Sequence, residues 1–477
     1  MFRQTIRRGL AATALLTALN AAAESRPNIL FILADDLGVG DLACYSGDSR
    51  VPTPNLDALA STGLRFTQAY CPASVCSPSR YSLMTGAYAW RSWKSTGVLA
   101  SWEPPMIADG QPTLPGLLHD AGYATAGFGK WHLGARYPTL DGQPPLGQGK
   151  FKSDDAGRNI DLRQPVAAGP GAHGFEIWKG LISLSESFIL EDNRIVAALR
   201  HPNYPPFDTP GYDKLPVVTM TDLHARVTNN TLSFLADHDR DRPFFLYYAP
   251  YVPHIPLAVE PRFKGTTQGG DYGDYVHQLD EAVGRLLAAL DEHGLRDNTI
   301  IVFASDNGSQ WEETGSGHRP NGPLRGGKWS SYEGGVRMPL IVSWPGHIAT
   351  GTASQALVSM TDFLATFCTL TGTPVPSGAG PDSIDQAPLL LSASPANVPA
   401  LRSEVMVQGS RNRHGLRSGD WKLITAQSGD DTTHDELYNL AEDPAETVSL
   451  IEKFPEKAAQ LRERMTELLA APSTRPR

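Results

Sequence analysis

The sequence predicts an α/β protein with a large, mainly parallel mixed sheet flanked by helices and a smaller C-terminal α+β subdomain. Three continuous apolar runs carry this prediction, and they occupy residues 28–34, 243–248 and 299–304. Runs of this length without polar alternation are typical of strands buried on both faces of a parallel sheet. The helices that should connect such strands are visible in the spacing of the residues between them.

The clearest helix lies between the second and third apolar runs. Its apolar residues recur three or four positions apart, at Val276, Leu279, Val283, Leu286 and Leu290. A second helix is predicted over residues 221–236, just before the second run. Strands that alternate with helices favour parallel pairing, because each helix returns the chain to the edge where the next strand starts.

The first 23 residues have the pattern of a signal peptide. Arg3, Arg7 and Arg8 precede an apolar segment at 10–19, and small residues at 20–23 offer a cleavage site. The apolar segment is too short to cross a bilayer as a stable helix, and no later segment is a better candidate. We therefore expect export to the periplasm or beyond, by a Sec or twin-arginine route, with no stable membrane span.

Composition divides the remaining chain into two parts. Residues 24–385 hold the three apolar runs and are predicted to form the main α/β domain. A stretch rich in Pro, Ser, Gly and Ala at 372–400 indicates a linker or boundary. Residues 386–477 contain short strand-like segments and a final helix at 455–469, which predicts an antiparallel sheet with a closing helix. The Gly- and Pro-rich stretch at 137–171 is predicted to be a loop beside the active site.

Charge and cysteine content exclude several classes of protein. The 477-residue chain has 41 Lys and Arg against 51 Asp and Glu, a net charge of −10 that argues against nucleic acid as a partner. An anionic substrate must therefore be attracted by a few cations concentrated in one cleft. Four cysteines are too few for a disulfide framework in a chain of this size. A Cys44–Cys71 pair remains open.

Polar residues follow each of the three predicted strands: Asp35-Asp36, Pro253-His254 and Asp306-Asn307. Sites in open α/β sheets collect at the carboxyl ends of strands, so these pairs are expected to meet in one cleft. Carboxylate and amide oxygens select Ca²⁺ or Mg²⁺ over zinc. Taken alone, either acidic pair is more often a helix cap or a turn, and Asp-Asn-Gly at 306–308 is a common turn sequence.

The most informative segment runs from Cys76 to Gly86, Cys-Ser-Pro-Ser-Arg-Tyr-Ser-Leu-Met-Thr-Gly. Pro78 suits the first position of a helix, because its φ is fixed and its missing N–H would have no partner there. Cys76 would then lie at a helix N-terminus, where backbone donors favour an anion. Arg80 follows with a planar, permanently charged guanidinium that fits sulfate or phosphate oxygens. A buried structural cysteine is the simpler interpretation of this segment in isolation.

This segment resembles the signature of the type I, formylglycine-dependent sulfatases of the alkaline phosphatase superfamily, arylsulfatase-like members included. Gly-Lys-Trp-His-Leu-Gly at 129–134 resembles the second signature of that family, and the likeness continues through 417–423 and 437–444. The resemblance implies an alkaline-phosphatase-like fold. It also implies that a maturation enzyme oxidises Cys76 to formylglycine, whose hydrate is the nucleophile.

The same resemblance implies a role for each site residue. Ca²⁺, or alternatively Mg²⁺, is bound by the residues that match the family's metal positions: Asp35, Asp36, Asp306, Asn307 and position 76. Arg80, Lys130 and Lys328 stabilise the charge of the sulfate. His132 removes a proton from the second hydroxyl of the hydrate, and His254 or Lys328 protonates the leaving alcohol. Family members often place a substrate-facing polar residue at 180–186, but no residue of this segment can be assigned that role.

The function implied is a sulfuric ester hydrolase that removes sulfate from a sulfated carbohydrate, with aryl sulfates as surrogates. The sequence around Trp90-Arg91 and over 137–194 resembles bacterial family members that act on sulfated sugars. This resemblance implies a 6-sulfated galactose or N-acetylgalactosamine as the substrate. Two alternatives remain at this stage. One is a phosphonate or phosphate monoester hydrolase of the same superfamily, since tetrahedral oxyanions bind similar sites. The other is a secreted protein that binds sulfated glycan without turnover.

Overall fold

The computed structural model describes residues 26–153, 155–203, 208–426 and 434–475. The predicted signal peptide at 1–23 lies outside these ranges. Within them the α-helices are α1 (Pro54–Ser61), α2 (Cys76–Thr85), α3 (Leu114–Asp120), α4 (Met220–Asp237), α5 (Gly270–Glu292), α6 (Glu333–Val336), α7 (Phe363–Thr371), α8 (Ala387–Leu390) and α9 (Pro455–Ala470). None of these helices combines the length and the apolar character needed to cross a bilayer.

The strands of the described ranges form two sheets. The larger sheet contains β1 (Asn28–Ala34), β2 (Leu64–Tyr70), β3 (Ala124–Lys130), β4 (Ile177–Leu181), β5 (Phe188–Glu191), β6 (Arg194–Arg200), β7 (Val217–Thr219), β8 (Phe244–Ala249), β9 (Thr299–Ser305), β10 (Arg337–Ser343), β11 (Thr352–Ser354) and β12 (Val358–Ser359). The smaller sheet contains β13 (Glu404–Gln408), β14 (His414–Ser418), β15 (Trp421–Ile424) and β16 (Glu436–Asn439).

The larger sheet is mixed, with a parallel centre. Its strand order is β11-β2-β10-β9-β1-β8-β3-β4-β5-β6-β7, and β12 also pairs with β2. Strands β9, β1, β8, β3 and β4 are parallel to one another, whereas β10 and β5, which flank them, run antiparallel to both of their neighbours. The predicted mainly parallel mixed sheet is therefore confirmed, as are the strands and helices on which that prediction rested.

Strand β1 shows why the centre of the sheet is apolar throughout. All seven of its residues are buried, and alternate side chains enter separate cores. Phe31 packs in the core that includes α2 and α7, whereas Leu30 and Ile32 pack in the core that includes α4 and α5. Full burial of one such side chain contributes about 1.5–3 kcal/mol relative to exposure. Helices on both faces thus require a strand without polar alternation.

The register of the parallel strands fixes where the polar segments lie. Ala34 pairs with Ser305, so Asp35-Asp36 and Asp306-Asn307 leave the sheet side by side. Strand β3 ends at Lys130 and β8 ends at Ala249 along the same edge. At Gly129, φ is 116° and a Cβ would lie 2.0 Å from the Ala249 carbonyl oxygen, so only glycine fits immediately before Lys130. The sheet therefore brings these segments together as predicted.

The C-terminal part forms the predicted antiparallel sheet with a closing helix. Strands β13 to β16 pair in sequence order, each antiparallel to the next. Helix α9 covers this sheet with apolar residues one turn apart, which share a core with Leu416 and Leu423. Those α9 residues are Leu461, Met465 and Leu468.

The predicted linker at 372–400 is a packed segment. Ser383 Oγ accepts a hydrogen bond from the Ala365 amide at 2.9 Å, and Leu389 and Leu390 join the main core. Its Pro, Ser and Gly content reflects tight turns over α7, and the pattern of a packed turn is hard to tell from that of a free linker. A division near residue 385 stays a prediction.

The stretch 137–171 is a loop, as predicted. Its described residues hold no strand or α-helix, and isolated bridges such as Thr139 to Ile160 shape it. Phe151 from this loop lines the same cavity as Cys76. The prediction that the loop borders the site residues is therefore confirmed.

Candidate active site

Cys76 is the first residue of α2, and its thiol lies among charged groups. Its Sγ is 3.4 Å from Asp35 Oδ1 and 3.3 Å from Lys130 Nζ. Burial, together with the charge of Asp35, raises the pKa of this thiol. The helix begins two residues earlier than expected, so Pro78 occupies its third position and not its first. Proline is tolerated there because the first amides of a helix have no intrahelical partner.

The cysteines are free, all four of them in described positions. The Cys44–Cys71 disulfide that the sequence left open is therefore absent. The Cys71 thiol donates to the Ser305 carbonyl oxygen at 3.2 Å. Burial, together with the charge of Asp306, raises the pKa of Cys71 well above its ordinary value. Cys71 is thus a buried structural cysteine, in contrast to Cys76.

Three fully buried carboxylates stand beside Cys76, from Asp35, Asp36 and Asp306. Asp36 adopts a left-handed φ of 67°, and its amide donates to Asp306 Oδ1 at 3.2 Å. Asn307 Nδ2 donates to Asp36 Oδ1 at 2.7 Å. The four residues predicted from the two strand ends are therefore in contact with one another.

Three buried cations compensate these carboxylates. Lys130 Nζ lies 2.5 Å from Asp35 Oδ2, and Lys328 Nζ lies 2.8 Å from Asp36 Oδ2. Arg80 Nη2 is 2.9 Å from Asp306 Oδ2 and 3.5 Å from Asp35 Oδ2. Removal of one partner from a buried pair typically costs about 3–5 kcal/mol. Each cation is therefore part of the scaffold as well as a source of positive charge.

Arg80 is placed differently from Lys130 and Lys328. It is fully buried, donates to the Lys130 carbonyl oxygen at 2.8 Å, and is not among the described residues that line the cavity. The sequence predicts contact between Arg80 and sulfate, whereas the structure shows contact with the carboxylates. A direct role toward sulfate stays a prediction for this residue.

The carboxylates have different proton affinities. Burial raises the pKa of Asp35, but the nearby cations, Lys130 above all, outweigh it and hold that pKa well below its ordinary value. Burial, with the charge of Asp35, raises the pKa of Asp306 to about 7. A further positive charge beside Asp306 would favour its ionised form.

The arrangement fits a hard cation. Donor atoms of Asp35, Asp36, Cys76 and His254 lie within 4.8 Å of one another. Asn307 Oδ1 is buried without a hydrogen-bond partner, which is the state of an acceptor available to a metal. His254, which the sequence predicts as a proton donor and not as a metal ligand, therefore borders the predicted cation site. Asp306 stands outside the 4.8 Å group, against Asp36.

His132 is a neutral base at physiological pH. Burial, aided by the charges of Lys130 and Arg80, holds its pKa well below its ordinary value. Nε2 lies 3.0 Å from the Leu99 carbonyl oxygen, so we assign the proton to Nε2 and leave Nδ1, which is buried and unpartnered, as the acceptor. His132 has a left-handed φ of 56°, so the chain turns at this residue. Lys130 and His132 both line the cavity.

His254 lies on the other side of the carboxylates. Its Nδ1 is 2.5 Å from the Ile255 carbonyl oxygen, and its Nε2 is 3.7 Å from Asp36 Oδ2. Burial and the charge of Lys328 lower its pKa to about 4. Burial lowers the pKa of the Lys328 ammonium, but the negative charge of Asp36 outweighs this effect and raises that pKa above its ordinary value. Before any anion binds, His254 is thus neutral and Lys328 is protonated.

A cavity of about 350 Å³ opens onto these groups, a size suited to one small ligand. Five of its lining residues were predicted from the sequence: Cys76, Lys130, His132, His254 and Lys328. Eight further lining residues were not: Val98, Phe151, Ser183, Leu184, Ser185, Ile255, Gln310 and Trp329. Most come from loops, and two sequence signals pointed towards some of them: the loop predicted at 137–171, which contains Phe151, and the unassigned stretch at 180–186.

The stretch that the sequence left unassigned is held by a buried glutamate. Ser183 Oγ and Ser185 Oγ are 2.9 Å apart, and Ser185 Oγ also accepts from Ser101 Oγ at 2.9 Å. Glu186 accepts a hydrogen bond from the Trp102 amide at 2.8 Å and another from the Tyr137 hydroxyl. Glu186 thus fixes the cavity wall from behind without lining the cavity.

Residues 27–373 match a known protein family, described as Sulfatase. The chain belongs to the sulfatase family. A second family, described as N-sulphoglucosamine sulphohydrolase, C-terminal, matches residues 327–473 of this sulfatase. The protein is therefore an enzyme, a sulfuric ester hydrolase, and its predicted family and activity are confirmed.

Curated relatives of this sulfatase match it over nearly its whole length. An N-acetylgalactosamine-6-O-sulfatase of Bacteroides thetaiotaomicron is 32% identical over 96% of this chain and 95% of its own. Arylsulfatase A of Homo sapiens is 36% identical over 92% of this chain and 86% of its own. A solved structure from work on glycosaminoglycan metabolism in Bacteroides thetaiotaomicron has a TM-score of 0.82 at 29% identity, covering 94% of this chain and all of that one. The predicted fold class is confirmed.

Substitution of Glu186 with glutamine should make the stability of this sulfatase less dependent on pH between pH 4.5 and pH 8. Burial raises the pKa of Glu186 from 4.5 to about 7, against the hydrogen bonds from Tyr137 and Trp102. Between these values the unfolded chain loses a proton that the folded protein keeps, so the native enzyme loses stability as pH rises from about 4.5 to 7. The variant has no carboxyl group that titrates at this position, so it does not lose this stability. Its free energy of unfolding relative to wild type should rise by up to about 3 kcal/mol between pH 4.5 and pH 8.

Guanidinium unfolding at the two pH values measures this change. Asp120→Asn, a change at an exposed carboxyl of α3, serves as the control and should show no comparable difference. Equal relative stability of Glu186→Gln at pH 4.5 and pH 8 would contradict the prediction.

Proposed function

We propose that this sulfatase removes sulfate from a sulfated carbohydrate, with formylglycine formed from Cys76 as the nucleophile and Ca²⁺, or alternatively Mg²⁺, in the site. One observation carries the proposal: Cys76 begins a buried helix at a cavity, in contact with both Lys130 and the carboxylate cluster. The Bacteroides relative is named for 6-sulfated N-acetylgalactosamine. We propose a 6-sulfated N-acetylgalactosamine or galactose as the substrate.

The residues proposed to hold the cation are Asp35, Asp36, Asp306 and Asn307, together with position 76. When bound, the cation supplies positive charge that stabilises negative charge on the sulfate oxygens. The hard oxygen donors and the unpartnered Asn307 Oδ1 support this set. Lys130 and Lys328, which already contact Asp35 and Asp36, supply the remaining positive charge at the cavity.

The other side chains are proposed to move protons. In the folded protein His132 can accept a proton at Nδ1, because Nε2 is occupied by the Leu99 carbonyl oxygen. His254 or Lys328 gives a proton to the leaving alcohol. His254 must be charged for this role, and the negative sulfate of a bound substrate favours that form by raising the pKa of the imidazole. The hydrate of formylglycine supplies two hydroxyls, one to attack sulfur and one to allow release of sulfate.

Mass spectrometry of the tryptic peptide 66–80 tests the nucleophile. This peptide contains both Cys71 and Cys76, so one analysis carries its own control. In protein from a host that matures sulfatases, we expect Cys71 to be alkylated and position 76 to carry an aldehyde. Two alkylated cysteines from such a host would exclude the formylglycine mechanism.

Sulfate release tests the substrate. We expect release from 6-sulfated N-acetylgalactosamine and, more slowly, from an aryl sulfate. The matched phosphonate ester should react much more slowly. A faster reaction with the phosphonate ester would favour a phosphonate hydrolase instead.

We also propose that the protein is exported to the periplasm or beyond after removal of residues 1–23. The charged and apolar order of that segment supports this proposal. N-terminal sequencing of protein from the periplasm or medium should find a mature chain that starts near Glu24.

Chelation should destabilise the enzyme if the cation site is as proposed. Without the cation, three buried carboxylates share one small volume, and bound ligand at 100 times its dissociation constant stabilises by about 2.7 kcal/mol. Treatment with a chelator should therefore lower the melting temperature by several degrees. Addition of Ca²⁺ should restore it, whereas Na⁺ at the same ionic strength should not. An unchanged melting temperature would contradict the site.

A further inference from the structure

We infer that Trp329 forms a stacking wall for the sugar ring that carries the sulfate, and that it contributes to substrate specificity. Trp329 directly follows Lys328 and lines the same cavity as Cys76. Trp329 is 44% exposed, an unusual degree for tryptophan. This inference rests on the proposed carbohydrate substrate.

The backbone holds Trp329 in place. Its φ of 79° is left-handed, a conformation that bulky residues rarely adopt. The Trp329 amide donates to the Ser74 carbonyl oxygen at 3.0 Å, and the Trp329 carbonyl oxygen accepts from the Ser410 amide at 2.7 Å. The chain is thus fixed on one side to the segment that precedes Cys76 and on the other to the loop after β13. Glycine would adopt this conformation without strain, whereas tryptophan adopts it at a cost in free energy.

The surroundings of Trp329 suit an uncharged ring. Two other large apolar side chains are exposed and line the cavity, those of Phe151 and Ile255. Among the described lining residues, Lys130 and Lys328 are the only lysines or arginines, and both contact the carboxylate cluster. Positive charge therefore lies at the sulfate end, and the rest of the lining offers apolar side chains together with the uncharged polar groups of Ser183, Ser185 and Gln310.

Lys328 lies between the carboxylate cluster and the Trp329 ring. Its Nζ lies 5.6 Å from the centre of the Trp329 ring and 2.8 Å from Asp36 Oδ2. A sulfate oxygen at Lys328 therefore places the adjoining pyranose within reach of the indole face. The C–H face of a pyranose is apolar, so it can pack on an aromatic ring through dispersion and loss of water contact.

Binding of two probes to Trp329 variants tests this inference. Calorimetry in a Cys76→Ala background, which cannot turn over, compares a 6-sulfated N-acetylgalactosamine glycoside with inorganic sulfate. Trp329→Ala should weaken binding of the glycoside about tenfold, as expected for loss of one stacked ring, and leave sulfate binding unchanged. Trp329→Phe should stay within about threefold of the parent.

Trp93→Ala is the matched control. Trp93 is 53% exposed and has a lysine ammonium 5.9 Å from its ring, but it is not among the described residues that line the cavity. Its substitution should change neither probe. Unchanged glycoside binding in Trp329→Ala would overturn the inference, and so would equal weakening of both probes, which indicates that Trp329 only positions Lys328. Absence of glycoside binding to the parent also overturns it, whereas sulfate release by the wild-type enzyme decides the proposed function separately.

Discussion

Substitution of Cys76 with alanine is expected to lower the rate of sulfate release by at least about 10⁴-fold, the scale seen when a covalent nucleophile is removed. Alanine cannot be converted to an aldehyde, so neither hydroxyl of the hydrate can form. The cavity, Lys130, Lys328 and both histidines remain, and substrate binding should therefore persist. A steady-state assay with a 6-sulfated sugar measures the loss, and calorimetry measures the binding.

The fold should tolerate this change. The Cys76 thiol touches Asp35 and Lys130, but these two residues already pair with each other at 2.5 Å. In saturating Ca²⁺, which the four remaining proposed ligands still hold, the melting temperature should therefore change little. Cys71→Ala is the matched control, since it removes the other buried cysteine of the same segment and should retain turnover. A Cys76→Ala enzyme within tenfold of the wild-type rate would refute the proposed nucleophile.

The residues at strand ends could be predicted because their position depends on the sheet alone. Apolar runs identified β1 and β9, and parallel pairing then placed Asp35 beside Asp306 without further information. The proposed nucleophile came from a different signal, the resemblance of the segment around Cys76 to the family signature. The part of the site that consists of charged groups was therefore accessible from the sequence.

The walls of the cavity could not be predicted in this way. Val98, Ser185 and Gln310 come from loops, whose paths depend on packing between distant segments and leave no periodic pattern. Trp329 occupies a conformation that its residue type disfavours, so local preference points away from it. Under the proposed function the sugar of the substrate would meet these walls, so the sequence predicts the reaction more readily than the sugar.

A buried network of ion pairs lies where the two sheets are in contact, and it too depends on packing between distant segments. Lys422 of β15 has its Nζ 2.8 Å from Glu333 Oε1 and 2.9 Å from Glu446 Oε1, with no exposed side-chain surface on any of the three. Glu333 also accepts a hydrogen bond from the Tyr70 hydroxyl of β2 at 2.7 Å. The network thus connects the C-terminal sheet to β2 of the larger one.

Lys422→Met is expected to lower the free energy of unfolding by about 3–5 kcal/mol, because it leaves the buried Glu446 without its cation, whereas Glu333 keeps Arg337. Methionine has a similar length and packs well in apolar surroundings, so the loss reports charge more than volume. Guanidinium unfolding measures the change. The matched control is Lys457→Met on α9, whose ammonium donates to the uncharged Gln460 side chain at 3.0 Å. That substitution should stay within about 0.5 kcal/mol of wild type.

A second substitution separates charge from packing. Burial and the negative charge of Glu333 raise the pKa of Glu446 to about 7, although the positive charge of Lys422 lowers it. Glutamine at position 446 removes the carboxylate that is left without its cation. Lys422→Met combined with Glu446→Gln should therefore recover part of the lost stability, and the two effects should be non-additive because the residues are in contact. Additive losses, or a loss under about 1 kcal/mol for Lys422→Met alone, would show that the network does not hold the two sheets together.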